Sequence, residues 1–131
     1  LSLRENGSSS RVYVLMGDGE CNEGSVWEAA MFGAHHKVDN VIAMTDWNGQ
    51  QIDGTVDSVI SLGDLQGKWE KFGWECIVAD GHDFGCIEEA FQTAQSLGGK
   101  GKPVMILFKT EMGHGGLYGR YLRVARKGSI F

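Results

Sequence analysis

The sequence predicts an α/β protein in which a parallel β-sheet is covered by helices on both faces. Three short apolar runs with β-branched residues, at 12–16, 41–44 and 104–108, are bounded by Gly, Asp or Pro, which is typical of strands buried on both faces. Segments with helical periodicity alternate with these runs. This alternation implies right-handed βαβ crossovers and therefore a parallel sheet.

The helices are predicted from apolar or small side chains that recur three or four positions apart. The first helix follows the first strand and contains Val26, Ala29, Ala30, Gly33 and Ala34. Two later helices contain Leu65, Trp69 and Phe72, and then Ile87, Ala90, Phe91 and Ala94. A fourth strand at 74–79 separates those two helices, and Asp83 is expected to cap the last one. The chain order is therefore strand, helix, strand, helix, strand, helix, strand.

Composition and charge narrow the classes of function. A net charge of −5 and an isoelectric point near 5.3 provide no basic surface for nucleic acid. The three cysteines show no CxxC spacing, so they predict neither a disulfide framework nor a zinc site, and a reducing, cytoplasmic location is expected. No apolar run approaches the about 20 residues that span a bilayer, so no membrane partner is expected. The chain begins at Leu1 rather than Met, which we interpret as a sign of a processed chain or a fragment.

Parallel α/β sheets bind ligands at the carboxyl ends of their strands, so the loops after the strands form the candidate site. The loop at 17–24 reads Gly-Asp-Gly-Glu-Cys-Asn-Glu-Gly and lies between a strand and a helix. Its glycines allow the backbone to approach an anion closely, and the amides at the start of the helix favour negative charge. Asp18 in this loop is an oxygen ligand suited to Mg²⁺, which completes its shell with phosphate and water oxygens.

The loop that follows the next strand is rich in amides and glycines. It reads Asp-Trp-Asn-Gly-Gln-Gln-Ile-Asp-Gly over 46–54. Because neighbouring parallel strands end at the same edge of a sheet, we expect Asn48 to lie beside Asp18. The Asn48 side-chain oxygen, the Asp18 carboxylate and one backbone carbonyl would supply a protein half of an Mg²⁺–diphosphate shell.

Taken together, the two loops resemble the N-terminal domain of transketolases and their split-subunit relatives. The resemblance is carried by GDGECNEGSVWEAA at 17–30 and DWNGQQIDG at 46–54, and it extends over about 3–115. It implies thiamine diphosphate (ThDP) and Mg²⁺ as cofactors. By position it assigns Asp18, Asn48 and the Gln50 carbonyl to the metal, and Gly17, Gly19 and Glu20 to the cofactor, with the Gly19 N–H on the diphosphate. Trp47 departs from the Asn that many ThDP enzymes have before the second metal ligand.

The same resemblance implies a transferase that passes a two-carbon ketol unit from a ketose to an aldose, with a sugar or sugar phosphate as substrate. In the family, the glutamate that activates the cofactor comes from a separate pyrimidine-binding domain, which nothing in this sequence resembles. We therefore expect this chain alone to be inactive and to need a partner chain or domain in a homo- or hetero-oligomer. Two alternatives stay open: an α-like subunit of a 2-oxoacid dehydrogenase, which usually lacks Ile-Asp-Gly at 52–54, and a non-catalytic ThDP-fold scaffold.

Three further side chains are candidates for a catalytic role. Glu23 and Glu28 lie near or on the first helix, where they could pair with the helix dipole or, as the resemblance implies, line an interface between two cofactor sites. His114 lies among glycines after the last strand, in a loop that faces the ligand edge. We divide the chain into a partial diphosphate-binding domain at 1–116 and a divergent tail at 117–131, which is a candidate docking segment.

Overall fold

A computed structural model describes residues 1–116 of the 131-residue chain. In chain order its elements are α1 (Ser2–Glu5), β1 (Val12–Gly17), a 3₁₀ turn (Gly19–Asn22), α2 (Gly24–His35), β2 (Val41–Trp47), β3 (Gln50–Gln51), β4 (Gly54–Thr55), α3 (Val56–Ile60), α4 (Leu65–Lys71), β5 (Glu75–Asp80), α5 (Phe84–Leu97) and β6 (Val104–Lys109). The predicted tail at 117–131 lies outside the described residues.

The longer strands form one parallel sheet in the order β1-β2-β6-β5 within the described part of the chain. The predicted strands and the helices between them are all present, so the predicted α/β class is confirmed. This order places the last strand in the sequence between β2 and β5. The loops after β2, β6 and β5 consequently begin side by side at one edge of the sheet.

Helices cover both faces of this sheet, as predicted. Successive residues of β6 point to opposite faces, and its first four residues are 0% exposed. Met105 and Leu107 pack in a cluster with α2 and α4 on one face. Val104 and Ile106 pack in a second cluster with α5 on the other. The core therefore consists of two apolar layers separated by the sheet.

Close packing of α2 depends on a glycine. A Cβ atom at Gly33 would lie only 3.2 Å from Cζ2 of Trp74, so a larger residue would push the helix from the core. The indole Nε1 of Trp74 donates a 2.9 Å hydrogen bond to the carbonyl oxygen of Ala30. These contacts hold α2 against the sheet and so position its first turn, which follows the Asp18 loop.

The expectation that the first strand is buried on both faces is wrong. Val12, Tyr13 and Val14 are 37–47% exposed and Leu15 is 70% exposed. Among the described residues, β1 is an edge strand with a hydrogen-bonded neighbour only on the β2 side. Its apolar composition resembles that of a central strand, but its place in the sheet leaves it open to solvent.

The short elements were not predicted from the sequence. Helices α1 and α3 and the β3–β4 hairpin are too short to produce a periodic apolar pattern. The hairpin begins in the loop at 46–54, extends one residue beyond it, and pairs Gln50 with Thr55 and Gln51 with Gly54. By contrast, the predicted cap of α5 is confirmed, because the Asp83 carboxylate accepts the Cys86 N–H at 2.7 Å. Within 1–116, no helix is both long and apolar enough to cross a membrane.

Candidate functional site

Four loops begin at the carboxyl edge of the sheet, and backbone hydrogen bonds tie them together. The Asp18 N–H donates to the carbonyl oxygen of Asp46 at 3.1 Å, and Asp46 is the last residue of β2 that pairs with β1. The Thr110 N–H donates to the Trp47 carbonyl oxygen at 3.2 Å, which joins the loop after β6 to β2. The Gly81 N–H donates to the Lys109 carbonyl oxygen at 2.9 Å and adds the loop after β5.

Asp18 is the most deeply buried charged residue of this edge. Its side chain is 1% exposed, with Oδ2 accepting the Gly49 N–H at 2.6 Å and Oδ1 accepting the Gly19 N–H at 2.9 Å. Burial raises the pKa of this carboxyl group and the nearby Asp46 carboxylate adds to the rise, while the two amide bonds oppose it. A buried carboxylate with a second carboxylate nearby is stabilised by a cation, so this geometry suits a metal ion.

Asn48 lies between two partners that orient its amide. Its Nδ2 donates to Asp46 Oδ2 at 2.9 Å, and its Oδ1 accepts the Gln50 N–H at 2.8 Å. The next residue, Gly49, is the donor to Asp18 and has a left-handed backbone (φ +71°), which favours glycine. The structure thus brings the loops of Asp18 and Asn48 together, as the sequence predicted.

Side chains of the first loop also accept hydrogen bonds from backbone N–H groups of the same loop. Glu20 Oε2 accepts the Gly17 N–H at 2.6 Å, so Gly17, Glu20 and Gly19 form internal contacts around Asp18. Gly19 lies so close to the hairpin that an added Cβ would be 2.8 Å from the Cβ of Gln51. The two loops can approach one another only because residue 19 lacks a side chain.

Two buried amide donors in these loops have no hydrogen-bond partner within the described part of the chain. They are Nδ2 of Asn22 and Nε2 of Gln51. Buried donors without partners are costly, and anionic oxygens of a ligand would satisfy them. Together with Asp18 for a cation, they fit the chemistry of a metal-bound diphosphate.

Glu23 and Glu28 lie on the helix side of the same loop. Glu23 is at the N-cap position of α2, but within the described part of the chain its side chain makes no capping bond, and residues 23 and 28 are both exposed. The Glu23 N–H donates to the Glu20 carbonyl oxygen at 3.0 Å, but neither carboxylate forms a hydrogen bond with the Asp18 or Asn48 loop among residues 1–116. The structure places them beside the site, with their carboxylates available to a neighbouring molecule.

His114 lies at the β5–β6 end of the edge rather than at Asp18. Its ring stacks on His82 with centroids 3.7 Å apart and planes inclined by 14°. Nε2 of His82 accepts the Glu111 N–H at 2.7 Å, which anchors the loop that carries His114. With Asp80, Lys109 and Thr110, these residues line an open cavity of about 690 Å³. The His82 ring therefore holds the loop that carries His114 in place.

Sequence reasoning did not single out Asp46 and Thr110. The two Asp46 oxygens accept hydrogen bonds from the Asn48 amide and the Thr110 hydroxyl, so Asp46 connects the ends of β2 and β6. Both are polar residues at the ends of apolar strands, which is the signal that could have identified them. Their contact depends on β2 and β6 being neighbours, and that strand order could not be read from the sequence.

No group of three or more His, Cys, Asp or Glu side chains in residues 1–116 is arranged as a metal site. A metal ion at this edge would therefore combine the Asp18 carboxylate with amide and carbonyl oxygens and with oxygens of its ligand. The fold and site define an α/β protein of the class that binds ligands in glycine-rich loops at the carboxyl edge of a parallel sheet.

Comparison with known proteins assigns the family within this class. Residues 4–121 match the family model described as the transketolase, thiamine diphosphate binding domain. The chain belongs to the transketolase family, and the predicted resemblance is confirmed.

Relatives and solved structures agree with this assignment. The chain is 40% identical over 115 residues to the 6-deoxy-6-sulfo-D-fructose transketolase subunit SqwG of Clostridium sp. (strain MSTE9), covering 88% of this chain and 41% of that protein. It is 37% identical over 115 residues to an apulose-4-phosphate transketolase subunit of Actinobacillus succinogenes, with the same coverages of 88% and 41%. The crystal structure of Pichia stipitis transketolase in complex with sedoheptulose-7-phosphate matches with a TM-score of 0.77 at 30% identity, covering 84% of this chain and 16% of that chain. The chain thus spans 41% of the length of these two curated relatives.

Proposed function

We propose that this chain binds Mg²⁺ and the diphosphate of ThDP as part of a transketolase-type transferase. The observation that carries the proposal is buried Asp18, whose two oxygens are held by Gly19 and Gly49 between the ends of β1 and β2. The nearby Asn48 amide supports it, as do the two buried donors of these loops that have no partner among the described residues. The complete enzyme would transfer a two-carbon ketol unit from a ketose to an aldose.

In this proposal each loop has a defined task. Asp18 and the Asn48 side-chain oxygen bind the cation, and the Gln50 carbonyl is the third protein ligand. Gly17, Gly19 and Glu20 shape the wall that faces the diphosphate, where absent side chains permit close approach. ThDP, when bound, supplies the carbon nucleophile for cleavage of the ketose C–C bond. The residues of this chain bind and orient the cofactor and exclude water from it.

A second chain or domain is required by the same proposal. It would contribute the pyrimidine-binding half of the site with its activating glutamate, and residues 1–116 would form a partial diphosphate-binding domain. Two relatives carry the word subunit in their names, which supports a multi-chain enzyme. Exposed Glu23 and Glu28 are candidates to meet the partner, and His114 is a candidate to contact cofactor phosphate or a sugar phosphate substrate.

Calorimetry of the full chain assembled with its pyrimidine-binding partner tests the proposal. ThDP should bind only with Mg²⁺ present, and Asp18→Ala should weaken binding by about 100-fold or more, because a metal ligand is lost. The matched control is Asp57→Ala, which removes an exposed carboxylate in the first turn of α3. Binding that is unaffected by Mg²⁺ or by Asp18→Ala would contradict the proposed site. No ThDP binding at all would favour a scaffold.

A further inference from the structure

A hydrogen-bond network of three polar side chains joins the end of β6 to the loop after β2. The Thr110 hydroxyl donates to Asp46 Oδ1, and Asp46 Oδ2 accepts Nδ2 of Asn48 at 2.9 Å. Asn48 Oδ1 then accepts the Gln50 N–H at 2.8 Å. Asp46 therefore uses both of its oxygens to connect Thr110 with Asn48.

This hydrogen-bond network determines the orientation of the Asn48 amide. The oxygen and nitrogen of an amide have nearly the same size, so packing alone does not select between the two orientations. An ionised carboxylate only accepts hydrogen bonds, so Asp46 takes the nitrogen of Asn48. The oxygen is left on the side of the Gln50 N–H, in the loop whose Gly49 holds Asp18. A cation needs that oxygen, because an amide nitrogen is not a ligand for Mg²⁺.

Thr110 in turn orients Asp46. Rotation of an aspartate carboxylate about its last bond is broad and weakly restrained, so its direction depends on its hydrogen bonds. Thr110 forms two hydrogen bonds with β2. Its N–H donates to the Trp47 carbonyl oxygen at 3.2 Å, and its hydroxyl donates to Asp46. It is also the first residue of the loop that continues to Glu111 and His114.

We infer that Asp46 and Thr110 are positioning residues that keep the Asn48 oxygen in the orientation that binds a cation. The inference rests on the proposed function of the site. It adds Thr110, which neither loop motif contains, and it gives a role to Asp46, the first residue of the second motif. It also links the loop at 110–116 to the cation loop, since a shift of Thr110 would release Asp46.

Matched substitutions at Thr110 test this role. Thr110→Val removes the hydroxyl at nearly constant volume, Thr110→Ser keeps it, and Thr93→Val is the control on the exposed side of α5. In the assembled full-length protein, Thr110→Val should weaken Mg²⁺-dependent ThDP binding about tenfold, the effect of losing one hydrogen bond to a charged group. Thr110→Ser and Thr93→Val should stay within about twofold of the unsubstituted protein.

A second measurement reports the same hydrogen bonds without any cofactor. If the Asn48 amide turns freely, the Gln50 N–H loses its acceptor, so its hydrogen exchange should be faster in Thr110→Val than in Thr110→Ser. Asp46→Ala is the second variant, because it removes both oxygens that accept these hydrogen bonds, and it should accelerate exchange of the Gln50 N–H further.

The outcomes separate this inference from the proposed function. If the unsubstituted protein binds Mg²⁺ and ThDP while Thr110→Val matches it in both affinity and Gln50 exchange, the positioning role is wrong and the site stands. If the unsubstituted protein binds no ThDP, the proposed function is wrong and the positioning role is rejected with it. If Thr110→Val exchanges the Gln50 N–H faster but binds ThDP with unchanged affinity, Thr110 has a structural role only and the positioning role is wrong.

Discussion

Asp18 and Gly49 belong to loops at the ends of different strands, and a 2.6 Å hydrogen bond from the Gly49 N–H to Asp18 Oδ2 joins them. This contact brings an aspartate from the end of β1 to the loop that carries Asn48. It depends on the left-handed backbone of Gly49 (φ +71°), which aims the N–H at the carboxylate.

Gly49→Ala should therefore impair the site through backbone strain alone. Among residues 1–116, nothing lies within 4 Å of the position that a Cβ of residue 49 would take, so steric overlap with them is not the cause. An alanine in this conformation costs about 1 kcal/mol of stability, and relaxation of the backbone should turn the N–H from Asp18 and weaken Mg²⁺-dependent ThDP binding. Denaturant unfolding and calorimetry measure the two effects.

The matched control for that change is Gly99→Ala. Gly99 has a similar φ of +77° and an equally open Cβ position, but it lies in the turn after α5. Gly99→Ala should lower the free energy of unfolding by about as much as Gly49→Ala but leave ThDP binding unchanged. Equal losses of binding in both variants would show that general destabilisation, and not the Asp18 contact, is responsible.

Gly19→Ala tests how closely the first loop must approach the hairpin. The new Cβ would lie 2.8 Å from the Gln51 Cβ and 3.1 Å from its Oε1, so the β3–β4 hairpin must shift. We expect a loss of about 1–3 kcal/mol in unfolding free energy together with weaker ThDP binding. Adding Gln51→Gly should restore part of both, since it removes the atom that clashes. Gly24→Ala, whose Cβ position is open, serves as the control.

The buried Cys21 thiol and the partly buried Cys76 thiol should make the protein less stable in alkaline solution. Burial raises the pKa of Cys21 to about 11 and that of Cys76 to about 12, against an ordinary value of 9.0. Above the ordinary value the unfolded chain loses thiol protons that the folded protein keeps. The free energy of unfolding should therefore fall as the pH rises from about 9 to about 11, by at most about 1.4 kcal/mol per pH unit for each thiol.

Urea unfolding of the full chain from about pH 8 to about pH 11 measures this slope. Cys21 is 0% exposed, so Cys21→Ala should remove its share of the slope, whatever the change in absolute stability at neutral pH. An identical slope in the substituted and unsubstituted proteins would mean that the buried Cys21 thiol does not govern the alkaline loss.

The sequence determined the local features of this protein. Apolar runs such as 104–108 and the spacing of Ala90 and Ala94 identify strands and helices, because burial selects apolar residues at the period of each element. The predicted strands in turn indicate the Asp18 and Asn48 loops as a site, because the loops after parallel strands share one edge of the sheet. A match over 4–121 agrees with the family that these two loops suggested.

The tertiary structure decided which strand ends are neighbours. The order β1-β2-β6-β5 leaves apolar Leu15 exposed at an edge and brings Thr110 to Asp46, which is 64 positions away in the sequence. It also stacks His82 on His114 through the β5–β6 pairing. Periodicity encodes which side of an element is buried, but it does not encode the partner that buries it, so contacts between distant strand ends appear only when the sheet is assembled.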